Sequence, residues 1–153
     1  MNRIAVFPGT FDPLTKGHEA IVKRSIPLFD KIIVAIGTNS AKNAMFSLEQ
    51  RMEWIKITFI NEPKVEVKTY EGLTVDFCMK ENARFILRGL RTPADFEYEK
   101  TISQMNLAMQ PLVETVFLIT DPIYSAISSS IVREIIKHGG EVSSFIPASI
   151  HIK

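Results

Sequence analysis

Cysteine is almost absent. Cys78 is the only one, so no intrachain disulfide can form and nothing points to an oxidising compartment. Set between Phe77 and Met79, Cys78 reads as a buried structural thiol and not as a nucleophile. Neither sign of charge dominates. The 18 basic and 17 acidic residues leave a formal charge of +1, which argues against a duplex-DNA or polybasic membrane binder but leaves room for a local basic pocket. No apolar run reaches membrane-spanning length, and Pro8, Gly9 and Asp12 interrupt the N-terminal apolar stretch too early for a signal region. The expectation is a soluble cytoplasmic protein. Several chemical signatures are also missing. There is no Cys/His cluster with zinc spacing, no Gly-x-x-x-x-Gly-Lys-Ser/Thr loop, no Gly-x-Gly-x-x-Gly after the first strand, and no serine elbow with His/Asp partners. His138 and His151 read as surface residues near a helix end and the chain end.

What is present is the balance of one globular domain spanning 1–153, with 46% hydrophobic and 23% charged residues. Short apolar runs alternate with longer amphipathic ones. Ile4–Phe7, Lys31–Ile36, Val65–Tyr70, Phe85–Leu87 and Thr115–Ile119 read as strands, the first ended by Pro8-Gly9. Helices are expected over about His18–Leu28, after a Ser47/Gln50 capping box, over Leu73–Lys80 and Asp95–Met109, and from the serines at 128–130 to a Gly139-Gly140 C-cap. Such alternation implies an α/β fold: a single Rossmann-like domain whose five-stranded parallel sheet has helices on both faces. Right-handed crossovers put every strand-to-helix loop at one end of the sheet, where ligands bind in such folds. The polar loops Gly9–His18, Thr38–Lys42, Arg88–Arg91 and Thr120–Ser130 should therefore converge.

The first of these loops carries most chemistry. In Gly9-Thr10-Phe11-Asp12-Pro13-Leu14-Thr15-Lys16-Gly17-His18, Gly9 permits a tight turn and close backbone approach. Gly17 lets a phosphate near the helix start, and His18 falls in the first turn, where open N–H groups and the dipole favour an anion. The plain alternative is a turn followed by an exposed helical histidine. Arg88-Gly89-Leu90-Arg91 offers two guanidiniums that can fork onto polyphosphate oxygens; alternatively they pair with Asp95, Glu97 or Glu99. Ser128-Ser129-Ser130 can cap a helix, which needs only one hydroxyl, or cradle an anion. Tyr124 stands where a base could lie. Lys42 is an isolated loop lysine that gains interest only from where its loop should open.

The string Pro-Gly-Thr-Phe-Asp-Pro with Thr15-Lys16-Gly17-His18 resembles the His/Thr-x-Gly-His signature of the nucleotidyltransferase superfamily. Arg88-Gly89-Leu90-Arg91, Ala94–Glu99 and Ile127–Ser130 narrow the resemblance to the phosphopantetheine adenylyltransferase family over nearly the whole chain. That resemblance implies transfer of the adenylyl group of ATP to 4′-phosphopantetheine, giving dephospho-coenzyme A and pyrophosphate. It implies acceptor contacts from Thr10, Lys42, Leu73, Thr74 and Arg88. It implies ATP contacts from Thr10, Phe11, His18, Gly89, Leu90, Arg91, Glu99 and the run Tyr124, Ser125, Ala126, Ile127, Ser128, Ser129, Ser130. His18 would stabilise the transition state, aided by Lys42 and Arg91. Mg²⁺ would arrive with ATP, held by phosphates and water and by no protein side chain. The assembly would be a homohexamer, and coenzyme A, sharing the pantetheine arm, is a candidate inhibitor. No nucleic acid or membrane partner is implied. Ala126 stands where the family often carries an aromatic residue, and Ala41 where some relatives have a second lysine.

Overall fold

The computed structural model of the chain describes residues 2–38 and 43–152. Ala41 and the expected acceptor ligand Lys42 lie outside the described residues. The strands are β1 (Ile4–Gly9), β2 (Lys31–Gly37), β3 (Val65–Tyr70), β4 (Phe85–Leu90) and β5 (Glu114–Ile119). The helices are α1 (Lys16–Ser25), α2 (Leu48–Thr58), α3 (Thr74–Lys80), α4 (Pro93–Met109) and α5 (Ser129–Lys137), with a short 3₁₀ turn at Pro122–Tyr124. All strand pairs are parallel, in the order β3-β2-β1-β4-β5.

The near-continuous apolar runs of β1 and β2 are what a strand covered on both faces requires. Their side chains alternate with period two. Ala5, Phe7, Ile32, Val34, Ile36 and Leu87 join one core under α1, α2, α5 and the C-terminal residues Val142, Ile146 and Ile150. Val6, Ile33, Ala35 and Ile86 join a second core with Val75, Phe77 and Cys78 of α3. Burial pushes the Cys78 thiol up to about 12, which keeps it protonated and inert, as expected of a structural cysteine.

Chain order reverses between β1 and β4, and the sheet splits there. β1 pairs with β2 through Gly9↔Ile36, but with β4 only as far as Val6↔Ile86. Pro8 has no N–H to give, and its carbonyl instead accepts from Arg88 Nη1 at 2.7 Å. The result is a crevice at the carboxyl ends of the strands, at the topological switch point.

Several boundaries differ from the sequence reading. β1 continues through Pro8 and Gly9, because pairing with β2 tolerates the proline. β4 runs to Leu90, so Arg88, Gly89 and Leu90 are strand residues and not a loop. α1 starts at Lys16 and stops at Ser25, and α4 starts at Pro93 under a Thr92 cap (3.1 Å to the Asp95 N–H). Ser47 does cap α2 by accepting the Gln50 N–H at 3.1 Å, but among the described residues the reciprocal box forms at Thr15 and His18.

Candidate active site

His18 is the third residue of α1. Its Nδ1 accepts the Thr15 backbone N–H at 3.0 Å, while Thr15 Oγ1 accepts the His18 N–H at 3.3 Å. A backbone N–H can only donate, so Nδ1 is unprotonated and the ring proton sits on Nε2. Burial, reinforced by the Arg88 and Arg91 charges, lowers the imidazole pKa to about 4. At neutral pH His18 is therefore a neutral ring with a fixed Nε2–H donor. It is wedged edge-on against Phe11, centroids 5.0 Å apart, and lies 6.2 Å from Phe7.

Phe11 explains Gly9. Its backbone is left-handed (φ 49°), a costly state for an aromatic residue that surrounding contacts must impose. Its buried ring lies where a side chain on residue 9 would go: a Cβ there would be 3.0 Å from the ring. Gly9 thus makes room for Phe11; it is the last residue of β1 and not a turn glycine. Gly17 is different. A Cβ there would meet Thr15 Oγ1 at 3.5 Å, an ordinary contact, so no close protein neighbour demands the glycine.

Two clefts open at the crevice. The larger, of about 560 Å³, is lined by His18, Arg91, Ser128, Ser129, Ser130 and Arg133 among others. Arg91 is held by Asp95, whose Oδ2 accepts from its Nε (3.2 Å) and backbone N–H (3.1 Å). All three serine hydroxyls have protein partners. Ser128 caps α5 by accepting the Ile131 N–H at 3.2 Å, Ser129 donates to the Pro13 carbonyl at 2.8 Å, and Ser130 accepts from Arg133 Nη2 at 3.2 Å. Only Ser129 has spent its proton; Ser128 and Ser130 accept and keep theirs, so those two O–H groups and the first-turn backbone N–H groups of Ser129 and Ser130 are the donors left for an anion.

The smaller cleft, of about 280 Å³, lies on the α3–α4 side and is lined by Gly37, Tyr70, Thr74, Ile102 and Asn106. Pro8, Gly9, Thr10, Arg88 and Glu99 line both clefts and form their common wall. Along β4, Arg88 shares the face of Ile86 and Gly89 that of Leu87. Gly89 is bare because Ile21 of α1 packs over it, 3.1 Å from a notional Cβ. Arg88 Nε donates to Glu99 Oε1 at 2.6 Å, so the alternative reading of these arginines, pairing with acidic residues of α4, is realised in both cases. The pairing orients Arg88: with Nε and Nη1 taken, its other Nη has no partner among the described residues.

The cytidylyltransferase-like family model matches residues 6–135. The phosphopantetheine adenylyltransferase of Flavobacterium johnsoniae is 56% identical over 151 residues, covering 99% of both chains. That of Flavobacterium psychrophilum is 57% identical with the same coverage, and that of Leptospira biflexa is 50% identical over 96% of this chain and 92% of its own. The chain belongs to the phosphopantetheine adenylyltransferase family. Likeness to solved structures extends further in fold than in sequence. A bifunctional NMN adenylyltransferase/ADP ribose pyrophosphatase from Francisella tularensis superposes with a TM-score of 0.72 at 19% identity, over 98% of this chain and 46% of that one.

Measured against that membership, the structure brings Thr10, Phe11, His18, Gly89, Arg91, Glu99, Ile127 and Ser128–Ser130 to the larger cleft. It brings Thr10, Thr74 and Arg88 to the smaller one. Leu73 is 52% exposed and lines neither cleft, and the Leu90 side chain is buried in the core. Tyr124, Ser125 and Ala126 sit at the 3₁₀ turn outside both linings, with the Ser125 hydroxyl turned back to the Pro122 carbonyl at 3.0 Å. Sequence reasoning missed Arg133, Arg51 and Tyr70. Arg133 lines the larger cleft and donates to the Asp12 carbonyl at 2.8 Å; its signal was the three-residue spacing from Ser130, one helical turn. Arg51, fully buried, donates to the Thr10 and Phe46 carbonyls at 2.9 and 3.0 Å. Asp12 accepts the Met45 and Phe46 N–H groups at 2.8 and 2.9 Å. Apart from the local Arg51–Phe46 bond, these bonds join residues more than 30 positions apart, which no local pattern reveals.

Proposed function

We propose that the chain transfers the adenylyl group of ATP to the phosphate of 4′-phosphopantetheine, releasing pyrophosphate and leaving dephospho-coenzyme A. The observation that carries this reading is the junction of the two clefts at Thr10 and Arg88, beside a neutral histidine whose remaining proton is a donor. One cleft suits a nucleoside triphosphate and the other a slender acceptor; two phosphates meet only at their common wall.

In this reading an acceptor phosphate oxygen attacks the α-phosphorus in line, the bond to the β-phosphate breaks, and pyrophosphate leaves. The nucleophile is already an anion near neutral pH, so no proton has to be removed. His18 could not act as the base in any case: Nδ1 is taken by Thr15, and Nε2 already carries the proton. Its Nε2–H hydrogen-bonds an α-phosphate oxygen as charge develops. Arg88, with Thr10 and Lys42, holds the acceptor phosphate against repulsion by ATP. Arg91, Arg133 and the α5 N-terminus receive the β- and γ-phosphates. Glu99 keeps a place in the nucleotide cleft while its carboxylate orients Arg88.

Among the described residues no group of three or more His, Cys, Asp or Glu side chains could hold a metal ion, and the cleft's Asp95 and Glu99 are engaged by arginines. That donor set fits Mg²⁺ carried by the triphosphate and water, where it would neutralise phosphate charge. The homohexamer would need an apolar contact face, and a stripe along α4, Tyr98, Ile102, Met105 and Met109, at helical spacing and exposed (70% at Tyr98, 59% at Met105), offers one. No helix among the described residues is long and apolar enough to cross a membrane.

The deciding experiment is pyrophosphate release with ATP, Mg²⁺ and 4′-phosphopantetheine, with CTP in parallel. Release with ATP and acceptor together is expected. ATP binding with no release for any phosphorylated acceptor would make the chain a nucleotide-sensing module instead.

A further inference from the structure

Gly37, Tyr70 and Thr74 meet at the far side of the smaller cleft from Arg88, and their geometry is unusually determined. Tyr70 and Gly37 are register partners at the carboxyl ends of β3 and β2. The Tyr70 carbonyl accepts both the N–H and the hydroxyl of Thr38, at 2.9 and 3.1 Å. Its ring stacks on the buried Phe77, centroids 4.9 Å apart and planes 21° apart. Gly37 leaves space for the phenol: a Cβ there would stand 3.4 Å from the Tyr70 hydroxyl oxygen. Backbone, ring and clearance thus all aim this hydroxyl at one place, where it bonds Thr74 Oγ1 at 2.9 Å.

Two hydroxyls hold two protons and four lone pairs, and a single bond between them consumes one of each. One O–H donor and at least two acceptor sites remain, side by side, in a cleft whose other walls include Pro8, Ile86 and Ile102. That is the complement of a secondary amide, whose carbonyl takes the donor and whose N–H takes a lone pair. An arm without an amide would leave the pair dry and unmatched.

We infer that the Tyr70–Thr74 hydroxyl pair is a specificity element that recognises a secondary amide in the arm of the acceptor, with Gly37 providing its clearance. The inference rests on the acceptor assigned above, whose arm carries secondary amides. Tyr70 touches the arm and not the reacting phosphates, so it acts on acceptor binding and not on the chemical step.

The test is steady-state kinetics of Tyr70→Phe, which keeps the ring and its stack. The acceptor KM is expected to rise about tenfold, the loss of one buried hydrogen bond, with kcat and the ATP KM within twofold of wild type. Thr74→Val should act alike, and the double variant should lose less than the product of the two single losses, because the hydroxyls share one partner. Acceptor analogues with each amide in turn replaced by an ester complete the test. For one of them the wild type should lose affinity and Tyr70→Phe should lose little more. An unchanged acceptor KM in Tyr70→Phe, or an equal loss with amide and ester analogues, overturns the inference. Absence of wild-type turnover with 4′-phosphopantetheine would instead strike the proposed function.

Discussion

The tautomer of His18 is set by a single bond. Because the Thr15 N–H occupies Nδ1, the ring offers one polar atom, and that atom is a donor. His18→Ala is expected to lower kcat by about 10²–10³, as for loss of one transition-state donor, with the ATP dissociation constant little changed; a near-wild-type kcat would remove its role. The pKa also predicts a pH signature. An unfolded histidine takes up a proton near pH 6.5, whereas folded His18 does so only at about 4. Below 6.5 the unfolded state binds more protons, so this residue's share of stability is complete above 6.5 and is lost as pH falls from 6.5 to 4. Ring titration followed by NMR should show His18 unprotonated at pH 5.5.

Two glycines on either side of the β1–α1 loop should respond in opposite ways. Gly9→Ala drives a methyl into the Phe11 ring, 3.0 Å away, and should destabilise the fold by about 1–3 kcal/mol, seen as a fall in Tm. Gly17→Ala meets nothing closer than 3.5 Å and lies within a helix, where alanine is favoured by up to about 1 kcal/mol. Its Tm should hold, while ATP affinity falls about tenfold or more if a phosphate uses that space. Loss of stability without loss of ATP affinity would reverse the assignment.

At the scale of elements, the decisive feature is the parting of β1 from β4 beyond Val6↔Ile86. Strand alternation places Arg88 toward α4 and Gly89 toward α1, so one guanidinium faces the common wall of both clefts while its neighbour admits Ile21. Arg88→Ala should raise the acceptor KM far more than the ATP KM; equal effects on both would place Arg88 on the nucleotide instead. The strands were legible because their apolar runs are short and bounded by glycine and proline. The strand character of Arg88–Leu90 was not, since charged and glycine residues read locally as loop. Only pairing with Phe117, Leu118 and Ile119 of β5 extends the strand through them.

For the whole molecule, α4 is the outlier. Glu99 is its only buried residue, yet it carries an apolar stripe. If that stripe is the contact between copies, Met105→Glu should dissociate the assembly to smaller species in sedimentation velocity. The helix should persist, since glutamate is a good helix former; an unchanged sedimentation coefficient would exclude this face.

The sequence by itself determined the alternation of strands and helices, the parallel sheet, the end of the sheet where the loops gather, and the family. Each of these rests on local periodicity or on contiguous motifs, which the chain displays in one dimension. The tertiary structure decided the protonation state of His18, the turning of the Ser129 hydroxyl to the Pro13 carbonyl, the pairing of Arg88 with Glu99, and the convergence of Gly37, Tyr70 and Thr74. All of these depend on burial and on which bonds close. For Ser129, Arg88 and the Gly37–Tyr70–Thr74 group the partner comes from another element, and even the Thr15–His18 pair needs the cap geometry and the arginines around it to set its charge.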